Sequence, residues 1–276
     1  VLTAAMEAGL RRSDVIIAVG GGSVMDCAKV IGARVVKPRQ SVQRMRGLLR
    51  VLKRTPLLIA VPTTAGTGSE TTLAAVITDP AARHKYPIND FALIPDYAVL
   101  DPELTLGLPP MLTATTGMDA LTHAIEAYIG RSTNRLTRAM SEEAATRIVR
   151  SLYKAYTDGG DMQARADMLR AAYCAGVSFT RSYVGYVHGV AHSLGGQYGV
   201  PHGLANAVIL PIVLEDYGAA VYPKLARLCE VAGVKTDGTD AEKAQAFIAE
   251  IYAMNERMGI PNALVRTAVN TVLLRI

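Results

Sequence analysis

The sequence predicts an α/β domain over residues 1–107, followed by an all-helical domain over residues 108–276. Short apolar and β-branched runs, each leading into a loop rich in glycine or hydroxyl residues, are confined to the front part. From residue 108 onward such runs nearly vanish, and long stretches with helical spacing replace them. Neither part contains an internal repeat or a low-complexity segment.

The front domain is expected to contain a parallel sheet covered on both faces, because its main apolar runs are continuous rather than alternating. The predicted strands cover residues 15–19, 57–61, 74–79 and 97–101. The segment Arg83, His84, Lys85 and Tyr86 is predicted to form a polar loop between strands, with His84 in solvent.

The second domain is expected to consist of helices separated by glycine-containing breaks. The predicted helices cover residues 111–129, 135–156, 162–178, 184–194, 204–217, 222–232 and 240–258. Breaks are predicted at Gly130, at residues 158–160 and at residues 195–196. A Pro-His-Gly turn at residues 201–203 is expected to end any helix before it.

Composition excludes several classes of protein. Half of the 276 residues are apolar and 19% are charged, and no uncharged apolar run reaches 18 residues, so a membrane span is not expected. The three cysteines, Cys27, Cys174 and Cys229, form no CxxC pair, which favours a reducing compartment, the cytoplasm.

The net charge of +5 raises nucleic acid as a possible partner. Much of the excess lies in residues 37–54, which contain seven Lys and Arg residues. That segment has no interleaved aromatic residues for base stacking and no zinc-finger or RRM signature. We therefore expect a solvated edge of the fold and no nucleic-acid partner.

Two loops in the front domain have the composition of phosphate-binding loops. In the first, Gly21 and Gly22 would let the backbone approach an anion at a helix start, and Ser23 would add a donor, with Asp26 following. Its spacing is neither GxGxxG nor a Walker A loop, and a tight structural turn would look much the same. The second loop offers the hydroxyls of Thr63, Thr64, Thr67 and Ser69. Together they indicate a nucleotide crevice, to which Lys85 would add a point charge, although a lone loop lysine is usually solvated.

Four of the five histidines fall within two short windows of the helical domain. Asp119 and His123 lie four residues apart, so on a helix they share one face, and His188 and His192 repeat that spacing. His202 follows in the Pro-His-Gly turn, beyond a glycine-rich loop. One carboxylate and several imidazoles are the ligands that a borderline divalent cation takes. His192 is placed in or just outside the ligand set, and Glu126 either orients an imidazole or is an ordinary exposed helix carboxylate.

Four motifs, in this order, resemble the iron-containing (group III, metal-dependent) alcohol dehydrogenase family. They are GGGSVMDCAK, PTTAGTGSE, TGMDALTHAIEAY and GYVHGVAHSLGGQYGVPHGLANAVILP. The resemblance implies a Rossmann-like nucleotide domain, incomplete in this chain, and a helical metal domain on either side of a cleft. It also implies one divalent metal, usually iron and in some members zinc or manganese, together with NAD or NADP.

The resemblance assigns roles to particular residues. The metal ligands would be Asp119, His123, His188 and His202, and His192 would stand beside the nicotinamide in a proton relay. The cofactor-contacting positions would be Gly21, Gly22, Ser23, Asp26, Thr63, Thr64, Thr67 and Lys85.

The chain departs from the family pattern at both ends. It begins just before the strand that leads into GGGS, so the first β-α-β half, with the residue that chooses NAD or NADP, is not found. After GIPNAL the tail VRTAVNTVLLRI differs from the family's usual helical continuation. We expect a fragment of a longer protein rather than a natural short variant, since the sheet would otherwise expose an apolar edge.

The expected function is hydride transfer between a primary alcohol or aldehyde and NAD(P), with the metal polarising the substrate oxygen. Two alternatives stay open: a lyase similar to dehydroquinate synthase, and a non-catalytic remnant that binds metal or nucleotide. The expected partners are a small alcohol or aldehyde and further copies of the chain in a homo-oligomer. The sequence does not name the alcohol.

Overall fold

The computed structural model describes residue 4, residues 9–79 and residues 84–263. The divergent tail after GIPNAL, residues 265–276, lies outside these described residues. Within them an α/β part is followed by a helical part, as the sequence predicts.

The α/β part contains two small sheets rather than one. Its elements are β1 (Val15–Gly20), α1 (Gly22–Val36), β2 (Gly47–Leu48), β3 (Leu57–Pro62), β4 (Ala74–Asp79), β5 (His84–Asn89) and β6 (Tyr97–Ala98). The first sheet is parallel, in the order β1-β3-β6, with Gly20 opposite Pro62 at the strand ends. The second has the order β2-β5-β4, and β4 pairs with β5 in the antiparallel direction. Residues 74–79 are therefore not part of the parallel sheet.

The loop prediction for residues 83–86 is wrong from His84 onward, since β5 begins there. Tyr86 and Ile88 are buried while Lys85 and Pro87 are exposed, which is the alternation of a strand with one face on the core. The polar residues at the start and the proline at position 87 concealed this alternation, and pairing with β4 supplies the backbone partners.

The helical part follows the predicted pattern closely. Its helices are α2 (Pro110–Ile129), α3 (Arg135–Thr157), α4 (Met162–Ser182), α5 (Tyr186–Tyr198), α6 (His202–Tyr217), α7 (Tyr222–Ala232) and α8 (Asp240–Arg257). Each helix lies within a few residues of a predicted one because apolar spacing along a helix is a local property.

Two details between α5 and α6 correct the sequence analysis. Helix α5 continues through Gly195 and Gly196, so these glycines neither break the helix nor form a loop. The break comes at Gly199, whose φ of 70° is left-handed and suits a helix C-terminus. His202 is then the first residue of α6 rather than part of a turn, with Pro201 at the N-cap.

Helix α2 is the centre of the helical domain, and nearly all of its residues from Thr113 to Tyr128 are buried. A Cβ added at Gly117 would lie 2.3 Å from Cδ1 of Leu152, so α2 and α3 approach closely at this glycine. Polar residues on α2 are therefore enclosed by protein and require partners.

Glycines also allow the α/β part and the helical part to pack closely against each other. Added Cβ atoms at Gly66 and Gly68 would lie 2.6 Å from Cβ of Thr116 on α2 and 2.7 Å from Cα of Gly176 on α4. The loop after β3 is thus pressed against the helical domain. Thr116 lies three residues before Asp119, so this loop lies beside the predicted metal site.

By length and composition alone, one stretch among the described residues, His202–Ala220, would be able to cross a membrane. Half of it is buried inside the fold, and its residues Ala205, Leu210 and Leu214 belong to the main hydrophobic core. These properties are those of a core helix.

Candidate metal and cofactor site

Three of the predicted metal ligands converge in the structure. Asp119 comes from α2, His188 from α5 and His202 from the start of α6. One ligand atom from each lies within 4.8 Å of the others. The Oδ1 oxygen of Asp119 is 3.6 Å from Nε2 of His188 and 3.5 Å from Nε2 of His202. One carboxylate and two imidazole nitrogens facing each other are a donor set that suits a divalent cation such as Fe²⁺, Zn²⁺ or Mn²⁺.

His123, the fourth predicted ligand, lies beside this group rather than in it. Its ring stacks between Phe179 and His188, with centroid distances of 4.1 and 4.4 Å. Its Nδ1 atom is buried and has no hydrogen-bond partner among the described residues. A buried, unpartnered imidazole nitrogen one helical turn from Asp119 fits the proposed donor set, and its role as a ligand stays a prediction.

Glu126 proves to be buried, which excludes the exposed alternative. Its carboxylate accepts hydrogen bonds from the backbone N–H groups of Gly185 at 2.8 Å and Val187 at 2.7 Å. It also lies 2.6 Å from Nδ1 of His188. Because an ionised carboxylate only accepts, Nδ1 carries the proton and Nε2 is directed at Asp119.

Asn206 is a site residue that the sequence analysis missed. It is fully buried on α6, one turn after His202, and its Nδ2 lies 2.6 Å from Oδ1 of Asp119. The spacing of four residues from a predicted ligand was the pattern that would have identified it.

Burial and mutual charge set the protonation of the cluster. Burial would raise the pKa of Asp119, but the imidazoles of His123, His202 and His188 hold it far below its usual range. Burial lowers the pKa of His123 to about 3, against the pull of Asp119. Burial would also lower the pKa of His188, but its contacts with Asp119 and Glu126 raise it to about 9.

His192 lies at the exposed edge of the cluster. Its ring stacks on that of His202 at a centroid distance of 5.1 Å, and it is 6.0 Å from the ring of His188. Partial desolvation, followed by the charges of His202 and His188, lowers its pKa to about 4. Its position between a buried imidazole and solvent suits a proton carrier.

The two predicted phosphate loops lie against each other. Gly20 and Pro62, which precede them, are partners in the parallel sheet, and the N–H of Thr63 donates to the carbonyl of Gly20 at 3.1 Å. A Cβ at Gly21 would lie 3.3 Å from Thr64, and one at Gly22 would lie 2.9 Å from Thr67. A Cβ at Gly22 would therefore clash with Thr67 and one at Gly21 would be tight against Thr64, so packing favours glycine at both positions, beside any role in binding a ligand.

Within the first loop, Ser23 is exposed and free to meet a ligand, whereas Asp26 has internal partners. The carboxylate of Asp26 accepts from Oγ of Ser69 at 2.8 Å and from the N–H of Val76 at 3.0 Å. Asp26 thus joins the first loop to the second, and its contact with a cofactor stays a prediction.

Lys29, one turn after Asp26, is a second residue that the sequence analysis missed. Its ammonium group is fully buried and lies 2.7–3.0 Å from the carbonyls of Ser69, Thr72 and Ala74 and from the hydroxyls of Ser69 and Thr72, and its three N–H groups are shared among these acceptors. Burial lowers its pKa to about 8, although the charges of Asp26 and Glu70 oppose this. Lys29 therefore anchors the end of the second loop to α1.

Lys85, the predicted contact for ribose or phosphate, is exposed on β5 and faces α5. Its Nζ lies 4.0 Å from the position that a Cβ at Gly195 would take. Its charge contributes to lowering the pKa values of His192 and His202, after burial and neighbouring imidazoles. Lys85 thus lies near the imidazole cluster and places a positive charge from the α/β part beside His192 and His202.

Paired glycine- and hydroxyl-rich loops at parallel strand ends, next to a cluster of one Asp and several His residues, are the arrangement expected of a nucleotide-dependent metalloenzyme. The chain belongs to the iron-containing alcohol dehydrogenase family. The model of iron-containing alcohol dehydrogenase matches residues 1–102, and that of the family's C-terminal part matches residues 113–272.

Individual relatives agree with the family. The chain is 40% identical over 252 residues to a 1,3-propanediol dehydrogenase of Citrobacter freundii, which covers 91% of this chain and 65% of the relative. It is 39% identical over 250 residues to an NAD-dependent methanol dehydrogenase of Bacillus methanolicus, with 90% and 65% covered. The fold is similar to that of an alcohol dehydrogenase from Oenococcus oeni (TM-score 0.90, 37% identity, 95% of this chain and 68% of that chain). The chain thus spans 65% of the length of both curated relatives.

Proposed function

We propose that this chain carries the catalytic site of a metal-dependent alcohol dehydrogenase that transfers hydride between a primary alcohol or aldehyde and NAD(P). The observation that carries the proposal is the convergence of Asp119, His188 and His202 within 4.8 Å, in a member of the iron-containing alcohol dehydrogenase family. The names of the relatives support primary alcohols and diols as the substrate class.

Asp119, His188 and His202 would hold the divalent metal. His123, on the next turn of α2, would complete the set. The metal is iron by the family's description, and the same donors also accept Zn²⁺ or Mn²⁺. When bound, it supplies a Lewis acid that polarises the substrate oxygen.

The surrounding side chains position the donors and move the proton. Asp119 stays ionised, because its pKa is held far below the usual range, and provides the negative charge of the site. Glu126 holds Nδ1 of His188, so that Nε2 faces Asp119. His192, whose pKa is lowered to about 4, is neutral at pH 7 and accepts the proton of the alcohol for release to solvent.

The two loops of the α/β part would hold the nicotinamide cofactor. The backbone at Gly21 and Gly22 and the hydroxyls of Ser23, Thr63, Thr64 and Thr67 would hold its pyrophosphate, where the start of α1 favours an anion. Asp26 supports the junction of the loops. Lys85 would offer its positive charge to a ribose or phosphate. The NAD-dependent methanol dehydrogenase supports NAD rather than NADP.

The protein acts in the cytoplasm as a homo-oligomer on small alcohols or aldehydes. Unpaired cysteines support the reducing compartment: Cys27, Cys174 and Cys229 are all free thiols. Neither the lyase nor the non-catalytic alternative is favoured by an observation on the described residues.

The test replaces His202 with Ala and measures two quantities in the purified chain: bound metal and alcohol-dependent NAD(P)H formation. Both are expected to fall at least about tenfold, because one ligand of a small buried set is lost. His84→Ala, which alters the one histidine outside the proposed site, serves as the matched control and should leave bound metal unchanged. Retention of metal and activity by His202→Ala would contradict the proposal.

A further inference from the structure

The amide of Asn206 lies beside three of the proposed ligand atoms. Its Nδ2 is 2.6 Å from Oδ1 of Asp119, 3.1 Å from Nε2 of His188 and 3.2 Å from Nε2 of His202. The imidazole nitrogens themselves lie 3.5 and 3.6 Å from the same carboxylate oxygen, beyond normal hydrogen-bond distance. With its two N–H groups, the amide of Asn206 can therefore hydrogen-bond the carboxylate of Asp119 and one imidazole nitrogen at a time, whereas the imidazoles do not reach the carboxylate.

The orientation of this amide follows from chemistry. Turning it over would place its oxygen 2.6 Å from Oδ1 of Asp119, so that two acceptors would repel each other. With the nitrogen inward, Oδ1 of Asn206 is buried and has no partner among the described residues. An unpartnered buried oxygen is destabilising, so the contacts made by Nδ2 must offset that cost.

We propose that Asn206 is a positioning residue of the metal site, which orients the carboxylate of Asp119 through its N–H donors. The inference rests on the proposed metal site and adds to it a residue outside the predicted ligands. Asp119 is 2% exposed, and the hydrogen bond that its Oδ1 accepts among the described residues comes from this buried donor. Loss of the donor leaves a carboxylate that must be reoriented at the cost of metal affinity.

Asn255 provides a matched control. It is 2% exposed on α8, its Nδ2 donates to the carbonyl of Ala207 at 2.7 Å, and its Oδ1 is likewise buried without a partner among the described residues. Replacing it removes the same amide from the same helical core, but the ligand atoms keep their contacts.

The experiment measures the affinity of the full chain for Zn²⁺, in competition with a chromophoric chelator, for wild type, Asn206→Leu and Asn255→Leu. Asn206→Leu should raise the dissociation constant by about 10–100-fold, whereas Asn255→Leu should change it by no more than about twofold. Visible spectra of the Co²⁺-loaded proteins should show shifted d–d bands for Asn206→Leu and wild-type bands for Asn255→Leu. If the leucine variants do not fold, Asn206→Ala and Asn255→Ala take their place.

The possible results distinguish the role of Asn206 from the existence of the metal site. If the wild type binds Zn²⁺ and Asn206→Leu binds it equally well or more tightly, the role of Asn206 is overturned and the metal site stands. If Asn255→Leu weakens binding as much as Asn206→Leu, the effect comes from general core damage and the inference is again overturned. If the wild type binds no Zn²⁺, Fe²⁺ or Co²⁺, the proposed metal site and the role of Asn206 fall together.

Discussion

The Oε2 oxygen of Glu126 lies 2.6 Å from Nδ1 of His188, and both side chains are almost fully buried. The same carboxylate accepts the N–H groups of Gly185 and Val187, which open α5. Since Gly185 has no side chain with which to cap the helix, Glu126 serves as the cap from another helix. There is little room for any other residue there, because a Cβ at Gly185 would lie 2.8 Å from Oε1 of Glu126. One carboxylate thus fixes both the start of α5 and the ring of His188, the proposed metal ligand on that helix.

Replacing Glu126 with Gln should weaken Zn²⁺ binding about 10–100-fold. Three groups now donate hydrogen bonds to the Glu126 carboxylate: the N–H groups of Gly185 and Val187 and Nδ1 of His188. The NH2 group of a glutamine would face one of these donors, so the His188 ring or the first turn of α5 must move. Competition titration with a chelator measures the effect. Glu142→Gln is the control, since Glu142 lies on α3, accepts a hydrogen bond from the Tyr128 hydroxyl and has no hydrogen bond to Asp119, His188 or His202. Equal affinities for Glu126→Gln and wild type would contradict this role.

Replacing Lys29 with Met should lower the free energy of unfolding by about 3 kcal/mol or more, because the carbonyls of Ser69, Thr72 and Ala74 lose a buried charged donor. The affinity for NAD should fall as well, since the second phosphate loop ends at this anchor. Urea unfolding and calorimetric titration with NAD measure the two effects. Lys154→Met, at an exposed position of α3, should change stability by less than about 0.5 kcal/mol. If Lys29→Met has the same free energy of unfolding as wild type, the contacts of Lys29 with the second loop do not stabilise the fold.

The buried carboxyl group of Glu70 should make the free energy of unfolding depend on pH. Burial raises its pKa from 4.5 to about 7, so the folded chain retains a proton that the unfolded chain releases between these pH values. Its contribution to stability is therefore present below pH 4.5 and lost as pH rises through 7. Glu70→Gln cannot lose this proton, so its stability relative to wild type should rise by on the order of 1–3 kcal/mol between pH 4.5 and 8.

Urea unfolding at a series of pH values measures this difference. Exposed Glu103→Gln is the control and should follow the wild-type pH profile. If Glu70→Gln also runs parallel to wild type, Glu70 is ionised in the folded protein at neutral pH and the expected shift is wrong.

The close contact between Gly68 and Gly176 predicts that two glycine-to-alanine substitutions will change stability in opposite directions. A methyl group at Gly176 would lie 2.2 Å from Oγ1 of Thr71 and 2.8 Å from the carbonyl oxygen of Gly68. Gly176→Ala should therefore destabilise the fold by about 1–3 kcal/mol and weaken NAD binding, because the loop after β3 must move away from α4.

Gly189 is the matched control, since it also lies inside a helix but has open space around its Cα. Gly189→Ala should stabilise the protein by about 0.5–1 kcal/mol, the ordinary gain for a helix interior. Thermal unfolding compares the two variants. Equal melting temperatures would show that the loop after β3 can move away from α4 without loss of stability.

Local patterns account for most of what could be predicted in advance. Helices with regular apolar spacing, such as α3 and α7, were located to within a residue at each end, because that spacing depends on neighbours in sequence. Errors arose where local chemistry was ambiguous. Gly195 and Gly196 resembled a loop, yet packing kept them helical until Gly199. The polar start of β5 resembled a loop, yet pairing with β4 made it a strand.

The sequence by itself determined the inventory of the site: the glycine and hydroxyl loops, Asp119, and the histidines at helical spacing. Tertiary structure alone decided how that inventory is used. It brought His188 and His202 to Asp119, placed His123 in a stack beside them, buried Glu126 against His188, and directed Asn206 and Lys29 inward. The physical reason is that spacing specifies which residues share a face of one helix, whereas the partner of that face depends on contacts between segments distant in sequence.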